Sequence, residues 1–212
     1  MLTGSITLLI VIAWGGWILT GERLFKESRS KVMFSMFFVF YISQLLAATL
    51  FPLPIEPALI EREQMRSAAG FGQENNFTLF QTLRDASASE TTFFNQIVGN
   101  FLLLVPLGFL APFLWDRYKS VRNALGLVLA TTFAIEFSQL AISGILGFTY
   151  RSFDVDDLWL NALGGFYAVA AALAVQKLTQ LRTAPSRLAA IEERVEHATT
   201  GSRETALCRS AP

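Results

Sequence analysis

Seven residues of this 212-residue chain carry the chemistry that its apolar context makes conspicuous: Asn100, Glu136, Gln139, Arg151, Asp154, Asp157 and Asn161. They lie in or beside long apolar runs, where ionisable groups are expensive and by default mark a functional or assembly site. A bare carboxylate at Glu136 would cost about 3 kcal/mol on insertion scales. It must therefore be protonated, paired or reached by water, and a carboxyl group held that way can act as a general acid or base. Asp154 with Asp157 could hold a divalent cation through water. Arg151 could grip a phosphate or carboxylate. Asn100, Gln139 and Asn161 would supply neutral hydrogen bonds.

Each of these residues also has a purely structural reading. Glu136 could be a neutral hydrogen bond between helices. Asp154 could cap a helix N-terminus, with Asp157 at the third position, where acids suit the helix dipole. Arg151 could pair with Asp154 or Asp157, or reach down toward Glu136. Asp156 points elsewhere on helical spacing and reads as solvated, and Asn95 reads as a cap near the surface.

Spacing places these residues on helices. Thr132, Glu136, Gln139 and Ser143 recur at four, three and four, which puts them on one helical face. Glu136 is ten residues from the outer end of its run, roughly 15 Å deep at the helical rise. Asp157, Asn161, Gly164 or Gly165, Ala168 and Ala172 form a matching stripe, and its small residues admit a close helix neighbour. Gly99, Pro106 and Gly108 mark a third helix as close-packed and irregular. Pro106 and Pro112 each remove a helical hydrogen bond, freeing the carbonyls of Leu102 and Gly108. This arrangement predicts an outward-opening polar pocket with Glu136 as floor and Arg151, Asp154 and Asp157 as rim.

The elements that must hold this pocket are apolar runs of bilayer-spanning length. The chain is 52% hydrophobic and 16% charged, and its composition and periodicity predict an all-α polytopic membrane bundle of about five transmembrane helices. A first helix (Met1–Thr20) and a basic linker occupy 1–31. A membrane domain follows over 32–176, with spans near 32–51, 93–115, 124–146 and 158–175 and an extracytoplasmic loop at 52–92. A polar cytoplasmic tail, expected to be weakly helical and flexible, covers 177–212. Within the loop, 56–69 suits a surface helix, and Asn75–Phe80 suits a small amphipathic patch at the interface. One side of the bundle collects 13 Lys and Arg and the other 4. The N-terminus is thus expected outside and the C-terminus in the cytoplasm.

Other classes are disfavoured. Net charge is zero and no basic face appears, so nucleic acid is not an expected partner. The single Cys (Cys208) and single His (His197) both fall in the tail. No metal centre, His-dependent triad or other cofactor is expected in the membrane. No internal repeat of any strength supports an inverted-repeat transporter.

Several motifs resemble one family. Val98-Gly99-Asn100 through Pro106-Leu107-Gly108 is similar to the "GN…PLG" segment of VanZ-like membrane proteins. Glu136-x-x-Gln139, Arg151-Ser152-Phe153-Asp154-Val155-Asp156-Asp157 and Asn161-x-x-Gly164 follow in that family's order. Asn76-Phe77-Thr78-Leu79-Phe80 resembles its "NLIPF" segment, departing at Thr78-Leu79. The resemblance covers about residues 32–175. It implies a bacterial cytoplasmic-membrane protein tied to the cell envelope. The family's namesake is an accessory factor in glycopeptide resistance that lowers sensitivity to teicoplanin and related lipid-tailed glycopeptides.

Three functions compete on this footing. A non-enzymatic accessory protein would engage a lipid-linked envelope precursor or a lipoglycopeptide through the seven-residue cluster. A membrane enzyme would use Glu136 as acid or base on a lipid-linked phosphate. A small transporter would relay protons through Glu136, and a homo-oligomer could form through the Gly/Ala face.

Overall fold

The computed structural model describes residues 29–86 and 90–209. The expected first span, Met1–Thr20, lies outside the described residues. Seven helices, with one further helical turn at Glu90–Thr92, organise what is described: α1 Arg29–Leu50, α2 Pro57–Arg66, α3 Gln81–Ala86, α4 Gly99–Leu103, α5 Val105–Leu114, α6 Val121–Leu146 and α7 Val155–Arg209. Two π-helical stretches, Ser67–Phe71 and Phe93–Val98, and a 3-10 turn at Asp116–Lys119 connect them. No strand forms among the described residues.

Among the described residues, four segments are long and apolar enough to cross a bilayer: Lys31–Leu50, Phe93–Leu114, Val121–Leu146 and Val155–Arg182. They match four of the five expected spans, and the chain is a multi-pass membrane protein. Their outward faces are apolar, with Phe37 and Phe40 on α1, Phe133 and Phe137 on α6 and Tyr167 on α7 exposed. Lipid has no use for a polar outer face, so the usual inside–outside contrast is replaced by polar residues turned inward. Of the described residues, those up to Ala172 belong to one compact unit and those from Leu173 to a second. The second unit is helical through Arg209, where the sequence reading expected only weak helicity.

The third span breaks between α4 and α5. Leu104 leaves helical geometry (φ −100°, ψ 4°), and Pro106 falls in the first turn of α5, where its missing N–H costs nothing. The Tyr41 hydroxyl of α1 donates to Leu103 O at 2.9 Å, so a neighbouring helix serves a carbonyl at the break. Glycines set the packing beyond it. A Cβ at Gly164 would collide with the Phe101 carbonyl, one at Gly108 with Gly165 O, and one at Gly165 would sit 2.5 Å from Val128 Cγ1. The close-contact patch expected on α7 is thus occupied within the chain, by α4, α5 and α6. Gly99 meets no such close approach.

After α6 the chain does not simply turn into the next helix. Gly147 closes α6 in the left-handed conformation (φ 74°), and Gln64 of α2 donates to Leu146 O at 2.7 Å. Residues 148–154 then run back along α6. Tyr150 N–H reaches Ser143 Oγ at 3.1 Å, Ser143 Oγ donates to Arg151 O at 3.1 Å, and Asp154 N–H faces Glu136 Oε2 at 3.4 Å. α7 therefore starts beside Glu136. Since Gln139 Nε2 donates to Thr49 O at 3.0 Å, α1 ends near the same level. The last ten residues of α6 overrun both neighbours.

Candidate functional site

The returning segment is held by the 52–92 loop. Asn76 N–H donates to Phe153 O at 2.8 Å and Val155 N–H to Asn76 O at 3.0 Å, a single parallel bridge. Asn75 Oδ1 accepts from Phe153 N–H at 2.8 Å, and Phe77 stacks on Phe153 at 5.4 Å. The patch expected at the interface is thus a clasp. It grips the residues that start α7 and leaves Phe77, Leu79 and Phe80 half or more exposed.

Asp154 and Asp156 anchor the clasp. Asp154 Oδ1 accepts from Asp156 N–H and from Asn76 Nδ2, both at 2.8 Å, and Oδ2 accepts from Thr82 Oγ1 at 2.7 Å. Asp154 is the helix cap, and its oxygens are filled by the protein. This removes it from a cation site with Asp157. Asp156, expected to be solvated, is 0% exposed. It accepts from Phe80 N–H at 2.6 Å, Thr82 N–H at 2.8 Å and Trp159 Nε1 at 2.9 Å. Sequence reasoning missed it because helical spacing turns it away from the pocket, toward a loop that periodicity does not place. Phe80 itself takes the left-handed conformation (φ 64°), which costs a non-glycine residue about 1–2 kcal/mol. Its charge-assisted bond to Asp156 offsets that cost.

The other six predicted residues meet around one cavity of about 1120 Å³. Glu136, Gln139 and Ile135 come from α6, Asn100 and Gly99 from α4, Asp157 and Asn161 from α7, and Arg151 from the returning segment. Thr132, Glu136, Gln139 and Ser143 are all buried, as one face of α6 requires. Asp154 is not among the lining residues. Because α7 begins at the level of Glu136, Asp157 belongs to the floor beside it. The expected rim reduces to Arg151.

Polar contacts sort the lining residues by how free they are. Asn100 Nδ2 donates to Asp157 Oδ1 in a very short bond. Gln139 is tied to Thr49 O. Arg151 Nη2 donates to Phe51 O at 2.8 Å, and among the described residues Arg151 makes no ion pair. The expected pairing with Asp154 or Asp157 does not form, because the guanidinium turns to the carbonyl just past the end of α1. Asn161 is 1% exposed, and neither Nδ2 nor Oδ1 has a protein partner. A buried polar group left so costs about 1–3 kcal/mol.

The outer wall brings residues that the sequence reading left unassigned. Arg62, Glu63 and Arg66 of α2 line the cavity, with Glu63 3.6 Å from Arg62 and 3.5 Å from Arg66. Asn95 and Gln96 join from the π-helical stretch, where an irregular turn re-aims side chains. Nothing in the sequence marked α2 as part of the site, since its charges alternate as on any solvated helix. Among the described residues no group of three or more His, Cys, Asp and Glu is placed to hold a metal ion.

No curated protein and no solved structure matches the chain. The family model described as VanZ/LLP1 matches residues 38–176. That range holds α2 to α6, both sides of the clasp and every residue of the cavity, and on this match the chain belongs to the VanZ/LLP1 family.

Proposed function

We propose that this VanZ/LLP1 protein is a non-enzymatic accessory factor of the bacterial cell envelope that binds a lipid-linked anionic precursor. The observation that carries this reading is the cavity itself. About 1120 Å³ of space, ringed in part by membrane-spanning helices, combines three arginines with amides and four carboxylates, Glu63, Glu74, Glu136 and Asp157. Sites for small ligands commonly occupy about 300–1,000 Å³ with a few convergent polar groups. Arg151, held in place by Phe51 O and lacking a carboxylate partner, is suited to an anionic head, and Arg62 and Arg66, each near Glu63, line the same cavity. The cavity opens to the outer leaflet of the cytoplasmic membrane, with the C-terminus in the cytoplasm, as the charge bias indicates. The namesake of the family lowers sensitivity to teicoplanin-type lipoglycopeptides, so a change in that sensitivity is the cellular readout of this reading.

The test uses the full chain in nanodiscs doped with polyprenyl phosphate, with binding read by native mass spectrometry. We expect retention of the lipid by the unsubstituted chain and its loss in Arg151→Ala. In cells, Arg151→Ala and Glu136→Gln should abolish any effect on teicoplanin sensitivity at equal expression. Equal lipid retention by Arg151→Ala would overturn the reading. Turnover of the lipid by the purified protein would make it an enzyme instead.

A further inference from the structure

We infer that the floor of the cavity is built for a hydroxyl-rich group, so that the ligand is a glycosyl phosphate with its sugar against Asn161 and its phosphate toward Arg151. This rests on the binding role proposed above and specifies which ligand class fits it.

The argument starts from Asn161. Its amide is buried, lines the cavity and offers an acceptor and two donors with no protein partner for either atom. A fully ionised phosphate brings only acceptors and leaves Oδ1 unpaired. An ammonium brings only donors and leaves Nδ2 unpaired. A pair of sugar hydroxyls, each both donor and acceptor, satisfies both atoms.

The neighbouring side chains demand the same complement. Glu136 and Asp157 supply carboxyl oxygens at the floor, and the amides of Asn100 and Gln139 stand beside them. A phosphate placed there would face two acidic groups, and no cation from α4, α6 or α7 lines the cavity. The cations of the cavity are Arg151 on the returning segment and Arg62 and Arg66 on α2. Arg62 and Arg66 share Glu63, and Glu74 also lines that wall, so the cation left without a carboxylate is Arg151, which lies off the acidic floor. A glycosyl phosphate carries the matching order, hydroxyls at one end and an anionic phosphate at the other. The volume leaves room for the sugar and the phosphate together.

The discriminating experiment titrates the full chain in phosphatidylcholine nanodiscs with glucose 1-phosphate, methyl phosphate and inorganic phosphate by calorimetry. We expect glucose 1-phosphate to bind at least about tenfold more tightly than methyl phosphate, the ratio worth one well-made polar contact. Asn161→Leu should bring the two within about twofold while leaving methyl phosphate unchanged. Asn161→Ala, smaller than the native residue, gives the same comparison if the leucine variant does not fold. Arg151→Ala should weaken both ligands together. A further arm adds a glucosyl-phosphoryl polyprenol to the nanodisc. Its displacement of glucose 1-phosphate identifies the lipid-linked form as the ligand, and the absence of displacement identifies the free sugar phosphate. Equal affinity for all three soluble probes overturns the sugar assignment but keeps the anion site. Failure of every probe, lipid-linked or soluble, overturns the binding role and the sugar assignment with it.

Discussion

The side-chain amide of Asn76 donates to Asp154 Oδ1 at 2.8 Å across 78 residues of sequence. This contact, with the backbone bridge beside it, turns a polar loop into a wall of the site. Asp154 is at once helix cap and loop anchor. Its truncation should therefore cost more than an ordinary cap, about 2–3 kcal/mol against about 1. Thermal unfolding in detergent should show Asp154→Ala melting well below the unsubstituted chain and Asp154→Asn, which keeps a capping oxygen, lying between. Melting of Asp154→Ala at the unsubstituted temperature would contradict the clasp.

Asp156 gives a more local readout. Its carboxylate receives two backbone N–H groups and the Trp159 indole, and an amide in its place would turn N–H against N–H. Asp156→Asn should release the segment around α3 while the membrane helices stay folded. Trypsin cleavage at Arg84 should speed up by about tenfold, equivalent to about 1.4 kcal/mol of local opening. An unchanged digestion rate would count against this anchoring role.

The glycine contacts predict a graded series. Gly164→Ala meets the Phe101 carbonyl and Gly165→Ala meets Val128, so both should lose about 1–3 kcal/mol or fail to yield monodisperse protein. Gly126→Ala meets nothing within 4 Å and should be neutral, or stabilising by up to about 1 kcal/mol. Size-exclusion profiles and melting temperatures of the three variants settle the order, and a harmless Gly164→Ala would refute the helix contact.

Asn161 should show a conflict between stability and binding. Its two buried atoms without a protein partner are a liability for stability. Asn161→Leu should raise the melting temperature of the ligand-free protein, with a gain of about 1–2 kcal/mol. A lower melting temperature for this variant would mean that the amide is satisfied and needs no ligand.

The helices, their polar faces and the glycine patch could be read from the sequence because each is a periodic signal. Thr132, Glu136, Gln139 and Ser143 repeat with the helix, and burial follows that period. The residues that went unread are those placed by non-periodic backbone. The return of 148–154 along α6 moves Asp154 and Asp157 down to Glu136, and no spacing rule foresees a chain that doubles back. Asp156 looked solvated because its partners, Phe80 and Thr82, lie 76 and 74 residues away. The loop, read as extracytoplasmic with an amphipathic patch at Asn75–Phe80, gave no sign of the clasp because its apolar residues, such as Phe71 and Phe77, occur among polar ones and form no run. One signal was present: three aspartates at one helix start exceed what a single cap can use, which points to a second set of donors.

The clasp also dictates an order of assembly. Its two halves are made far apart in time, since Asn76 leaves the ribosome long before Asp154 and the helix that Asp154 begins. Proteins are built from the N-terminus, and early segments must wait for late ones. The cavity cannot close when its first walls enter the membrane. It is completed only when α7 arrives and the waiting loop locks onto its first turn, so a nascent chain halted before residue 153 would hold an open, ligand-incompetent bundle.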